Sequence, residues 1–195
     1  MDKLRPEDLY SLEAYARVRP EFRRRAIAHK KARTVHLGPH VTLQFEDRLT
    51  IQYQVQEMLR IERLFEPEEI QGELDAYNPL IPEGSDWRAT MMIEFPDPEE
   101  RKRRLRELVG IEDRVWVQVG EAAPVYAVAD EDLERSTEEK TSAVHFLRFP
   151  LDEERRRAVH AGAPVTFGVD HPRYDHRHTL APEQRAVLAA DLDQP

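Results

Sequence analysis

The gaps between alternating apolar runs are short, and this restricts the fold more than any other feature. Residues 34–47, Thr-Val-His-Leu-Gly-Pro-His-Val-Thr-Leu-Gln-Phe-Glu-Asp, read as two short strands around a Gly38-Pro39 turn. Residues 114–119 and 125–129 repeat the arrangement across Gly-Glu-Ala-Ala-Pro. Parallel neighbours need a crossover of about a dozen residues or more, so each of these pairs is expected to be an antiparallel hairpin. Further strands are expected near 87–95, 142–149 and 165–169, with helical patterns between them. The pattern predicts a single α+β domain with a mostly antiparallel sheet of short strands, a central helix near 49–65 and peripheral helices.

Local punctuation places the helices. Asp97-Pro98-Glu99-Glu100 combines an N-cap, a proline at the first helical position and a carboxylate at the third, ahead of an Arg-rich helix that ends at Gly110. Pro6-Glu7-Asp8 is expected to open a helix to Val18. Arg19-Pro20 should interrupt it, because the residue before proline is pushed out of the α region, with a second basic helix over 21–32. Within 49–65, Gln52, Gln56, Arg60 and Arg63 fall in one narrow arc, which predicts a mostly apolar helix with one wet face. A short helix from Pro67, a proline-stiffened loop at 78–85, a charged helix at 152–161 and a final helix at 182–192 complete the pattern. Asp175 to His178 is expected in a loop. The domain should span 1–192, with 193–195 a loose tail.

Composition excludes several chemistries. No apolar run reaches the roughly eighteen residues of a spanning helix, and the opening Met-Asp-Lys-Leu-Arg-Pro-Glu-Asp-Leu-Tyr lacks the apolar core of a signal peptide. A cytoplasmic location without membrane insertion is therefore expected. The 195 residues include no cysteine, so there is no disulfide, no thiolate nucleophile and no iron–sulfur cluster carried by this chain. Glycine-rich phosphate loops, Gly-x-Ser-x-Gly and His-Glu-x-x-His are absent, so no motif announces a reaction.

Candidate site residues come from polar groups in apolar settings. Gln54, Glu57 and Glu62 fall among apolar positions of the central helix, with Glu57 between the azimuths of Tyr53 and Ile61. A carboxylate there needs a partner: one of the many arginines, or a bound cation. A general-base role for Glu57 lacks any accompanying nucleophile motif. Alternation turns His145 toward the more apolar face of its strand, as a core histidine or a ligand. His36 and His40 become cross-strand neighbours if Val35 and Val41 both face inward, and His171 follows a strand. His40, Glu57, His145 and His171 together form a candidate mixed nitrogen and oxygen site for one divalent ion: iron, manganese or zinc.

Charge is unevenly distributed. Between Arg17 and Arg33 eight basic side chains face one acid, a net +7, which leaves −16 for the rest of a chain whose formal charge is −9. Arg23, Arg24, Arg25, Lys30 and Lys31 are the candidate docking residues for an acidic partner. The alternative is that these cations pair with the chain's own carboxylates. Nucleic acid is not an expected partner, because the remaining surface would repel phosphates.

Four stretches carry a family resemblance: Arg-Pro-Glu-Asp-Leu-Tyr-Ser-Leu-Glu-Ala-Tyr from Arg5, residues 28–62 from Ala-His-Lys-Lys-Ala-Arg to Met-Leu-Arg-Ile-Glu, Asp-Ala-Tyr-Asn-Pro-Leu-Ile-Pro at 75–82, and Glu-Lys-Thr-Ser-Ala-Val-His-Phe-Leu-Arg-Phe at 139–149. The chain resembles the bacterial family of domain of unknown function 3501 over nearly its whole length. The resemblance implies a setting beside rubrerythrin-like proteins and an iron–sulfur oxidoreductase related to heterodisulfide reductase. No catalytic residue is carried over from the family. Two readings follow: a metal-binding accessory of that redox system, or a non-catalytic interaction or scaffold protein that docks an acidic partner through segment 17–33.

Overall fold

A computed structural model describes residues 1–193. Strand β1 (Thr34–Leu37) and β2 (Val41–Phe45) form the expected hairpin, and β2 continues to β3 (Asp86–Ile93). Beyond β3 lie β7 (Val144–Pro150) and the short β6 (Val128–Ala129), completing a five-stranded sheet in the order β1-β2-β3-β7-β6. A second sheet has the order β5-β4-β8-β9, from β4 (Val115–Val119), β5 (Val125–Tyr126), β8 (Val165–His171) and β9 (Tyr174–Thr179). Each pairing is antiparallel.

The expected strand at 125–129 divides between the two sheets. Val125 and Tyr126 pair with β4, while Val128 and Ala129 pair with β7, so the chain changes sheet at Ala127. The sheets face each other across one apolar core. Phe167 of β8 sits centrally, with ring centroids 4.8 Å from Phe45, 5.2 Å from Phe149 and 5.6 Å from Trp87. On the outer side of β8, Trp116 lies against Gly168, where a Cβ would come within 2.1 Å of the indole. Asp175 to His178, expected in a loop, belongs to β9: β8 supplies the backbone partners that this polar segment cannot signal by itself.

Helices cover the outer face of the five-stranded sheet. Helix α1 (Leu12–Ala32) runs through Pro20 without the expected break. The pre-proline preference is overridden by tertiary contacts on both sides of it: Tyr15, Phe22 and Ala26 are buried, and Arg19 itself is held by Glu57. Pro6–Asp8 is a separate turn of 3-10 helix. Helix α2 (Arg48–Glu62) is capped by Asp47, whose side chain accepts from the Thr50 amide at 2.9 Å. Its expected division into a wet and an apolar face is wrong in two respects. Gln56 is buried and exchanges hydrogen bonds with the backbone of Tyr10, while Ile61 and Phe65 stand in solvent.

Helix α3 (Pro67–Tyr77) packs on α2 around a second cluster of Leu4, Ile51, Val55, Leu59, Leu74 and Ile81. Helix α4 (Pro98–Glu107) starts as predicted, with Asp97 accepting from the Glu100 amide at 2.7 Å. Helices α5 (Glu153–His160) and α6 (Pro182–Ala189) pack together, and the Leu188 carbonyl accepts from the Trp87 indole at 2.8 Å. Of the expected loose tail, Asp193 is tied to Gly84 through its backbone amide at 2.8 Å; residues 194 and 195 lie outside the described residues.

Candidate functional site

The four candidate ligands stand in four different environments. Glu57 faces α1, where Arg19 donates to both of its oxygens, at 2.7 Å from Nε and 3.0 Å from Nη2. Tyr15 donates at 2.8 Å and Arg60 at 3.2 Å. The Arg19 guanidinium holds the Glu57 carboxyl down at about 2 against the opposing effect of burial, with Tyr15 and Arg60 adding to the shift. Burial, reinforced by the charge of Glu57, pushes the Tyr15 hydroxyl well above its ordinary range.

His145 is fully buried on β7; its Nδ1–H donates to Asp130 at 2.6 Å and its Nε2 lies 2.8 Å from the Thr141 hydroxyl. His171 uses both ring nitrogens, donating to the Val109 carbonyl at 3.1 Å and accepting from the Arg173 amide at 3.1 Å. His40 donates to the Glu94 carbonyl at 2.9 Å and stacks on Phe95 with centroids 4.0 Å apart. It lies in the turn rather than on a strand, so His36 faces Thr42 instead of His40.

The expected four-ligand site is therefore not assembled. No hydrogen bond or ion pair joins any two of these side chains, and among the described residues no group of three or more His, Asp or Glu is arranged to hold a metal ion. Of the two readings of Glu57, the structure shows the arginine pair.

Two buried polar networks lacked a signal in the linear sequence. Around His145, Asp130 takes a left-handed backbone conformation (φ 49°) and accepts from the Phe146 amide at 2.9 Å, while Glu112 accepts from Ser136 and, at 3.2 Å, from Thr141. These bonds fasten the 130–142 connection to β7. The second network centres on Arg33, which bonds Asp191 and the carbonyls of Phe45 and Glu46 and lies 3.5 Å from Asp47. Burial pushes the Asp191 carboxyl up to about 6, opposed by Arg33. His29 completes this group at 2.5 Å from Asp47. The His145–Asp130 pair joins positions fifteen residues apart, and Arg33–Asp191 joins opposite ends of the chain.

Helix α1 sorts its basic residues by direction. Arg19 and the C-cap residue Arg33 turn inward to carboxylates, and Arg17 and Arg24 pair with Glu13 and Glu21 of the helix itself. Arg25 lies over the Phe22 ring at 5.0 Å and Lys30 over the Tyr53 ring at 5.7 Å. Arg23, Arg25, Lys30 and Lys31 have no carboxylate partner among the described residues, and all but Lys30 are exposed. Arg17, Arg24 and Lys31 recur every seventh residue, so they line one side of the helix.

Between the sheet and helices α2 and α3 lies a cleft of about 290 Å³. Lys30, Glu46 and Gln54 line it together with Met92, Val144 and Phe146. The Glu46 carboxylate is buried there and accepts from the hydroxyls of Thr50 at 2.5 Å and Thr90 at 2.8 Å.

Residues 3–192 match the family described as Protein of unknown function (DUF3501). The chain belongs to the DUF3501 family. A solved structure of a protein of unknown function from Burkholderia pseudomallei is 52% identical to it. The match covers 98% of this chain and 100% of that one, with a TM-score of 0.94, so the two-sheet α+β fold is common to both. No curated protein matches the sequence. Among the described residues, no helix of this DUF3501 chain is long and apolar enough to cross a membrane.

Proposed function

We propose that this DUF3501 protein is a cytoplasmic, non-catalytic interaction protein that docks an acidic partner through the solvent side of α1. One observation carries the reading. Among the described residues, Arg23, Arg25 and Lys31 stand in solvent without carboxylate partners, although the chain outside segment 17–33 carries −16. Unpaired cations on an otherwise acidic protein favour encounter with a negative surface. Arg24 belongs to the same face, since its exposed pair with Glu21 is worth little and is readily exchanged for an intermolecular one. Arg33 and Arg19 do not take part, being engaged in the interior.

The setting that the family resemblance implies, beside rubrerythrin-like proteins and an iron–sulfur oxidoreductase, names the partners to try first. The test is titration of the purified oxidoreductase against this protein and against a variant with Arg23, Arg24 and Lys31 changed to Glu. Binding lost in the variant supports the reading; equal binding of both proteins contradicts it.

A further inference from the structure

We propose that the cleft beneath α2 and α3 binds a small apolar zwitterion, that is, an amino acid with a hydrocarbon or aromatic side chain. This goes beyond docking at α1 and uses different residues, because Lys30 turns from the solvent side of α1 toward the cleft.

Carboxylates taken out of water usually acquire a cation, and most here do: Glu57 has Arg19, Asp86 has Arg88, Asp191 has Arg33 and Asp130 has Arg135. Glu46 is 6% exposed and has two hydroxyls but no cationic partner among the described residues. Both hydroxyls hold it in a fixed orientation at the cleft wall, so its remaining lone pairs are preorganised for a donor.

The same cleft contains the opposite defect. The Lys30 ammonium has no carboxylate partner among the described residues and lies over the Tyr53 ring. Gln54 also lines the cleft, and among the described residues its side-chain amide has no hydrogen-bond partner. An unpaired anion, an unpaired cation and an uncommitted amide around one small volume are complemented by a ligand with an ammonium and a carboxylate. The rest of the wall sets the remainder of the ligand: Met92, Val144, Phe146 and Leu80 are apolar, and their burial by a hydrocarbon or aromatic group would favour binding. At about 290 Å³ the cleft lies just under the range for drug-sized sites, which suits a single amino acid.

The test is isothermal titration calorimetry of the full chain with free leucine and phenylalanine, set against isocaproate, which lacks the ammonium, and isoamylamine, which lacks the carboxylate. The proposal expects saturable binding of an amino acid, with both leucine analogues weaker than leucine by about tenfold or more. Glu46→Gln should weaken amino-acid binding by a similar factor and narrow the gap to isocaproate, and Lys30→Met should narrow the gap to isoamylamine. If Glu46→Gln fails to fold, Lys30→Met at the cleft edge and the analogue series decide the matter. No binding of either amino acid at millimolar concentration overturns the proposal, as do analogues that bind equally well or a folded variant with unchanged affinity.

Discussion

Glu57 of α2 and Arg19 of α1 form a two-point ion pair, with the guanidinium reaching both carboxylate oxygens at 2.7 and 3.0 Å. Arg19 is the residue before Pro20, where a helix break would be expected, so the pair fixes the backbone at the point where α1 is weakest. The acid that looked most like a metal ligand in the sequence thus joins two helices.

Changing Glu57 to Gln removes the charge but keeps the shape, and leaves Arg19 in place without its partner. A loss of roughly 1–3 kcal/mol in urea unfolding is expected, moderated by the partial exposure of Arg19. The effect depends on pH with a definite sign. The folded pKa of Glu57, about 2, lies below its ordinary value of 4.5, so the stabilisation is complete above about 4.5 and lost as pH falls toward 2. Acid titration of wild type and variant should show their difference shrinking across that interval.

Gly168→Ala is expected to cost roughly 1–3 kcal/mol, because the new methyl group would meet the Trp116 indole at 2.1 Å and force it to move. Chemical denaturation measures the cost, and a shift in tryptophan emission reports displacement of the indole. A silent spectrum with unchanged stability would show that the ring is not seated on the glycine.

His145→Ala is expected to release the 130–142 connection, since Asp130 and Thr141 lose their common partner and buried polar groups are left unpaired. Hydrogen exchange should accelerate across this segment well before it does in β2 or β3. Uniform acceleration through the whole sheet would instead mean that His145 acts only on global stability.

Addition of iron, manganese or zinc, or removal of metal with a chelator, is expected to leave the melting temperature unchanged. His40, Glu57, His145 and His171 are each committed to other partners and do not converge. Calorimetry with and without each ion checks this; a stoichiometric rise in melting temperature would show that a ligand set forms elsewhere.

What the sequence discloses depends on the distance over which its causes act. The Asp97 cap and the turn at Gly38 depend on residues within a few positions, and both are where local chemistry puts them. Pro20 was misleading because its local preference opposes a face held by Tyr15, Arg19 and Phe22. The helical arc of Gln56 gave the wrong side because the chain before α1 folds over it and offers the Tyr10 backbone as a partner. Strand β9 carries polar side chains on both faces and depends on β8 for its recognition. The site was hidden for the same reason. Glu46 sits one residue before a helix cap, and only the approach of Thr50 and Thr90 makes it a buried, oriented carboxylate. The basic segment is legible from charge alone, whereas which of its cations face solvent is set by how α1 packs.

If exposed cations on α1 attract an acidic partner, the association rate constant with the purified oxidoreductase must depend on ionic strength. The wild-type rate is expected to fall steeply with added salt, whereas the variant with Arg23, Arg24 and Lys31 changed to Glu associates slowly and speeds up as salt screens its repulsion. Rates that coincide for the two proteins at every salt concentration would contradict it.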